Sequence, residues 1–319
     1  MHNPIPRSVF RSLSICFFLL HIHATVAQET SNTIVAKTGD GIFSVLRKSG
    51  IHPINYYEQF LKLNADNIKN GSELIVGKEY ILPDAPDSFK RTGVRIDTGE
   101  EVEAPIFNET ELSLMNQKDT TLQNTVYYFV HSGGTESKKR FDALTRQLAN
   151  DLMVKGARVY LLENSKIAAA ISDSLSLVAK KEMYGNFSSA INKKYLRHKG
   201  AYQRVILIED AFGPRENSVV RISHNPKSSE GRQFASVLEN VLRKNTSVPV
   251  KGKNETNPFK DDASLYFANN LVPPIVILNF TDGSKPLQGG FNLKSEKKPL
   301  VGLLNDGILE DYSQLNFEN

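Results

Sequence analysis

Val126-Tyr-Tyr-Phe-Val-His-Ser-Gly-Gly134 is the stretch on which the fold turns. An unbroken apolar run over Val126–Val130 has no polar face to show to water, so it reads as a strand buried on both sides. The glycine pair marks where the chain leaves the sheet. Outward from it the pattern alternates. Phe141, Leu144, Leu148 and Leu152 lie on one helical face that stops at Gly156, and Arg158-Val-Tyr-Leu-Leu162 is the next strand. A long helical region is expected over Lys166–Lys181 and again over Ala190–Arg197. Arg204-Val-Ile-Leu-Ile208 and Val219-Val-Arg-Ile-Ser223 follow as strands. Ser229 caps a helix carrying Phe234, Val237, Leu238, Val241 and Leu242, and Pro274-Ile-Val-Ile-Leu278 closes the series. Apolar strands alternating with helices predict an α/β fold, a mostly parallel sheet with helices on both faces.

Upstream the pattern changes. Thr33–Lys37 reads as a short strand and Thr38-Gly-Asp40 as a turn. Ile42, Phe43, Val45 and Leu46 fall at helical spacing before Gly50, and a second helix runs from Pro53 to Leu63. Leu74–Pro83 returns as a strand, so residues 31–83 are expected to form a compact βααβ unit. Residues 84–124 are polar and carry Pro86 and Pro105. They read as a linker with one short helical piece near Glu111–Met115.

The first residues read as an export signal over 1–27. Arg7 and Arg11 precede the apolar run Leu13-Ser-Ile-Cys-Phe-Phe-Leu-Leu20, and Thr25-Val-Ala27 provides small residues for cleavage. That run is too short to span a bilayer, and no other stretch is long and apolar enough. The chain's one cysteine, Cys16, lies in the signal, so the exported part has no thiol for a disulfide or a metal. Without Arg7 and Arg11 the 39 basic residues become 37 against 35 acidic ones, a net charge of +2 with no basic block, which excludes a nucleic-acid partner. No Gly-x-Gly-x-x-Gly or P-loop follows the first strand, and no Gly-x-Ser-x-Gly elbow supports a serine hydrolase.

Two resemblances give these patterns a meaning. Gly39-Asp40, Leu63-Asn64, Gly77 and Ile81-Leu-Pro83, in that order, resemble a LysM module. The resemblance implies binding of N-acetylglucosamine-containing glycan, that is peptidoglycan, with Thr38, Gly39, Asp40, Leu63 and Asn64 as the contact residues. Residues 125–319 resemble the zinc-dependent N-acetylmuramoyl-L-alanine amidases of Bacteroidetes-type bacteria. The resemblance rests on Val126–Val130 with Gly133-Gly134, Lys155-Gly-Ala-Arg-Val-Tyr160, Tyr202–Ile208, Lys227-Ser-Ser-Glu-Gly-Arg232, Leu265-Tyr266 and Asn305-Asp-Gly-Ile-Leu309.

Such an amidase holds zinc with two histidines and a glutamate, and a second glutamate acts as base. Aligned on that pattern, the first histidine becomes Ser132, the ligating glutamate falls near Lys138 in a shortened Thr135–Arg140 loop, the second histidine becomes Glu209, and the base becomes Asn279. A hydroxyl is a poor zinc ligand, an ammonium repels the ion, and an amide takes no proton from water. The resemblance therefore implies a domain that has lost hydrolysis, with no cofactor expected. An alternative keeps an active amidase with zinc, or a harder ion, at a rearranged site of His131, Glu136 and Glu209. His52 belongs to the LysM-like segment, His198 reads as a surface residue and His224 as a strand-end structural one. The expected partners are peptidoglycan and cell-wall hydrolases or other envelope proteins, in the periplasm or envelope of a Gram-negative bacterium.

Overall fold

A computed structural model describes residues 32–68, 70–133, 135–170, 176–210, 218–246, 257–259, 261–282, 289–293 and 299–315. The export signal expected over 1–27, with Cys16, lies outside these residues. No helix among them is long and apolar enough to cross a membrane.

The N-terminal unit is built as β1 (Thr33–Val35), α1 (Ile42–Lys48), α2 (Pro53–Leu63), a 3-10 turn (Ala65–Asn67) and β2 (Glu79–Ile81). β1 and β2 pair antiparallel with Ile34 opposite Tyr80. Val45, Leu46, Phe60 and Tyr80 fill its core, with the Phe60 and Tyr80 rings stacked at 6.1 Å. The closing strand is shorter than Leu74–Pro83 because Gly77 turns the chain at φ +80° and donates its N–H to the Ala36 carbonyl at 2.8 Å. Pairing begins only beyond that turn.

The main sheet has the order β11-β8-β10-β7-β5-β6-β3-β4. Its centre is parallel: β3 (Gly93–Asp97), β6 (Arg158–Glu163), β5 (Thr125–His131), β7 (Tyr202–Asp210) and β10 (Ile275–Asp282). The margins are antiparallel. β4 (Val102–Pro105) pairs β3, β8 (Ser218–His224) pairs β10, and β11 (Phe291–Asn292) pairs β8 in this way, whereas the short β9 (Asn257–Pro258) joins β8 in parallel. The fold class is α/β with a mostly parallel sheet, as the apolar runs indicate.

Strand alternation divides the core in two. Phe129, Ile208 and Leu278 face the first layer with α5 (Thr135–Met153), α8 (Ser229–Asn245) and α10 (Leu300–Leu315). Val130, Leu207 and Ile277 face the second layer with α7 (Leu177–Arg197) and α9 (Asp262–Asn269). Arg204 of β7 reaches Asp311 of α10 at 3.1 Å, an ion pair in which both side chains are buried.

Three expectations are corrected. Residues 84–124 are not a linker but part of the fold. β3 enters the sheet with Val94 opposite Tyr160, while Phe89 of α3 (Phe89–Thr92), Ile106, Phe107 and Leu112 of α4 (Glu109–Leu114) lie in the first core layer. The signal was faint because β3 turns only Val94 and Ile96 to the core and carries Arg95 and Asp97 on its other face. Next, the helical region over 166–181 is interrupted: α6 (Ser165–Ala170) and α7 are separate helices, and residues 171–175 between them lie outside the described part. Finally, Thr135–Arg140 is not a loop but the opening turns of α5.

Candidate functional site

The parallel strands end together along one edge of the sheet, and every position singled out by the amidase resemblance lies there or on the helix just beyond. In an open α/β sheet the crevice outside the carboxyl ends of the strands is the ordinary ligand site. β5 delivers His131 and Ser132, β6 delivers Glu163, and β7 and β10 place Glu209 opposite Asn279.

These residues do not form one cluster, because alternation splits them between the faces. His131 follows Phe129 by two and lies on the first face, where its ring sits 4.7 Å from that of Phe141. Burial lowers its pKa to about 4, against an opposing pull from Asp142 and with a further push from Lys138, so the imidazole is neutral at pH 7. Ser132, Glu209 and Asn279 share the opposite parity and belong to the second face. His131 and Glu209, two of the three residues of the rearranged metal site, are thus kept apart by the sheet itself. Glu136, the third, is in the first turn of α5, and its side chain lies outside the described part.

On the first face Lys138 occupies a closed ring of charges. Its ammonium pairs with Glu163 at 2.7 Å and Asp142 at 2.9 Å, and Arg95 closes the ring to the same two carboxylates at 3.3 and 2.8 Å. Burial alone would lower the Lys138 pKa, but the two carboxylates outweigh it and raise it. Burial raises and the two cations lower the pKa of Asp142, with a net decrease. Lys138 and Asp142 therefore stay charged, and the ring is closed on itself.

A second network fills the other face. Glu209 accepts the Tyr184 hydroxyl at 2.7 Å and pairs with Lys180 at 3.3 Å, and Lys180 also reaches Asp261 at 3.1 Å. Burial drives the Tyr184 pKa well above its ordinary value, Glu209 adds to this, and a hydrogen bond with Ser132 opposes it. The tyrosine stays protonated and donates. For Lys180, burial lowers the pKa but Glu209 and Asp261 raise it further, which holds the ammonium charged. Sequence reasoning passed over Lys180, Tyr184, Asp142 and Arg95. The signal was the i,i+4 spacing of Lys138 with Asp142 and of Lys180 with Tyr184, which places each pair on one helix face.

The donor set at this edge does not fit a zinc site. The ligand positions hold a hydroxyl hydrogen-bonded to tyrosine, an ammonium locked between carboxylates, and a carboxylate engaged by an ammonium and a phenol. Among the described residues no three His, Cys, Asp or Glu side chains converge on a point that could hold a metal. The group hydrogen-bonded to Ser132 among the described residues is a protonated tyrosine, which cannot take a proton from its hydroxyl.

In the N-terminal unit the expected contact residues divide as well. Thr38 and Gly39 are exposed on the turn, Gly39 with φ +85°, and Leu63 is 42% exposed. Asp40 ties the turn to the side chains of α1. Its carboxylate accepts from the Lys37 N–H at 3.0 Å and the Ser44 hydroxyl at 2.8 Å and pairs with Lys48, and these bonds lower its pKa against the opposing effect of burial. Asn64 is buried. It donates to the Phe60 and Ile81 carbonyls at 2.9 and 2.8 Å and accepts from the Ile81 N–H at 2.8 Å, so it staples α2 to β2.

No protein-family profile and no curated protein sequence matches this chain. Solved structures similar to it include the N-acetylmuramyl-L-alanine amidase Ami1 of Mycobacterium smegmatis, at 12% identity and TM-score 0.36 over 62% of this chain and 99% of that one. The CwlD amidase of Clostridioides difficile, solved with the GerS lipoprotein, is similar at 15% identity and TM-score 0.39, over 59% of this chain and 98% of its own. The amidase AmiC2 of Nostoc punctiforme aligns at 10% identity and TM-score 0.31, over 60% and 96%. Values this low decide neither family nor activity, and the α/β assignment stands on the strand order itself.

Proposed function

We propose that this chain is an exported protein of the Gram-negative cell envelope that binds peptidoglycan through a LysM module and carries an amidase-like domain without hydrolytic activity. The observation that carries the second half is the pair of charge networks at the carboxyl edge. Where the resemblance places a metal-ligating glutamate, Lys138 is ringed by Glu163, Asp142 and Arg95; where it places a histidine, Glu209 is engaged by Tyr184 and Lys180. Inserting zinc would require breaking these pairs and leaving partly buried charges unmatched. The first half is supported by the βααβ order of the N-terminal unit together with Gly39-Asp40, Leu63-Asn64, Gly77 and Ile81-Leu-Pro83. A domain kept in this form serves as a binding platform, for cell-wall hydrolases or other envelope proteins.

One experiment tests both halves. Purified protein is sedimented with insoluble peptidoglycan, and the supernatant is assayed for peptide released from muropeptides, with and without added zinc. The expected result is co-sedimentation and no release. Zinc-dependent release would overturn the loss of hydrolysis, and protein remaining in the supernatant would overturn the glycan-binding role.

A further inference from the structure

Where the N-terminal unit meets the amino ends of β3 and β6, a cleft of about 730 Å³ opens, far larger than a single ion requires. Lys90, Arg91, Arg158, Lys194, Arg197 and His198 line it, and among its lining residues only Glu103 is acidic. That carboxylate is taken up by Lys194 at 2.6 Å. Arg91 pairs with Asp84, which is not among the lining residues. The Arg158 guanidinium donates to the backbone carbonyls of Arg91 at 2.8 Å and Pro86 at 3.3 Å, which fixes its position without neutralising its charge. Lys90 and Arg197 form no ion pair among the described residues, and both are exposed.

We propose that this cleft binds an oligoanion, a ligand carrying two or more carboxylate or phosphate groups along an extended chain. Unneutralised cations on several walls of one concavity repel one another, and an anion spanning them relieves that repulsion while making charge-assisted hydrogen bonds. Arg158 is already held in place, so little freedom is lost when a ligand binds it. His198 reports the same field. Its Nε2 is hydrogen-bonded to the Tyr160 hydroxyl at 2.7 Å, and its pKa is lowered to about 4 by burial and then by Arg158, Lys194 and Arg197. An anion in the cleft cancels the contribution of those cations and raises that pKa.

The proposal is independent of the peptidoglycan reading, which sedimentation tests separately. The full chain is titrated calorimetrically with tripolyphosphate and, in parallel, with triglutamate, at about 50 mM and about 300 mM salt. Binding of at least one probe is expected, weaker at the higher salt. Arg197→Glu and Lys90→Glu, both at exposed positions, should each reduce affinity by about tenfold while leaving the thermal melt in place. His198, followed by NMR, should titrate at higher pH in the presence of the bound probe. Tripolyphosphate alone binding assigns phosphate chemistry, and triglutamate alone assigns carboxylate chemistry. If neither binds at low salt, or if the double charge-reversal variant binds as well as the parent, the cleft is not an anion site.

Discussion

The two ends of the parallel sheet handle charge in opposite ways. At the carboxyl edge Lys138 and Lys180 each sit between two carboxylates, and a hydroxyl or a second cation completes the set. At the amino-end cleft Lys90, Arg158 and Arg197 have no carboxylate of their own among the described residues. Both ends are rich in cations, yet only the first is self-satisfied. A self-satisfied edge gains nothing electrostatically from a metal or an anionic ligand, whereas the open cleft does. The place where an amidase would work is the quieter end of this molecule.

Exposure separates the two cases. Arg158 lines the open cleft and has no carboxylate partner among the described residues, but Arg204, 6% exposed, is paired with Asp311, 1% exposed. Asp311→Asn would strand Arg204 in the core between β7 and α10. It should cost about 3 kcal/mol, because breaking a buried pair leaves one charge uncompensated. Chemical denaturation measures this directly. A loss below about 1 kcal/mol, the range of surface pairs, would mean that burial is not what requires Arg204 to be paired.

Glu239 on α8 shows what happens to a buried acid without an adequate partner. Its Oε1 has no hydrogen-bond partner among the described residues, Arg243 is 3.9 Å away, and burial raises its pKa from 4.5 to about 7 despite the opposing pull of Arg243. Between these two values the folded chain holds a proton that the unfolded chain has lost. The stabilisation is therefore complete below about pH 4.5 and disappears as pH rises through 7. Glu239→Gln removes the ionisation. It should match the parent at pH 4 and exceed it at pH 8 by roughly 3 kcal/mol. An equal difference at both pH values would assign the effect to packing.

A paired test compares the two ends directly. Glu163→Gln, at a position 10% exposed, leaves Lys138 and Arg95 to share Asp142 alone and should cost about 1–2 kcal/mol. Asp84→Asn, which releases Arg91 at the cleft rim where the partners are 49% and 77% exposed, should change stability by less than about 0.5 kcal/mol. Equal costs would erase the distinction between a closed ring and an open cleft.

The parts of this architecture legible in the sequence were those with continuous apolar runs. β5, β6, β7 and β10 announce themselves because both of their faces are buried. β3 and β4 were missed because β3 fully buries only Gly93 and Ile96 and β4 is wholly exposed. The antiparallel direction of β8 leaves no trace in its composition. At the site, residue identities were readable but their grouping was not. That His131 and Glu209 face opposite layers follows from strand parity and from which helix covers each face, and the second of these is a property of topology. The cleft was invisible for the same reason, since its cations come from α3, β6 and α7 and are scattered over the chain.

The finest test uses the two histidines whose pKa values are both lowered to about 4. Burial is the leading cause in each, but the charges differ. Asp142 and Lys138 act on His131 with opposite signs, whereas Arg158, Lys194 and Arg197 all act on His198 with the same sign. Raising salt to about 1 M shortens the screening length to about 3 Å. It should therefore raise the pKa of His198 and leave that of His131 nearly fixed. Linkage gives the sign for stability. Between about pH 6.5 and 4 the unfolded chain binds protons that both folded histidines refuse, so stability is full above that window and falls as pH drops through it. His198→Gln should flatten this slope and remove its salt dependence, while His131→Gln flattens it by a similar amount and leaves the salt dependence in place. Equal salt shifts at the two rings would show that burial alone sets both, and that the cations of the cleft exert no field on His198.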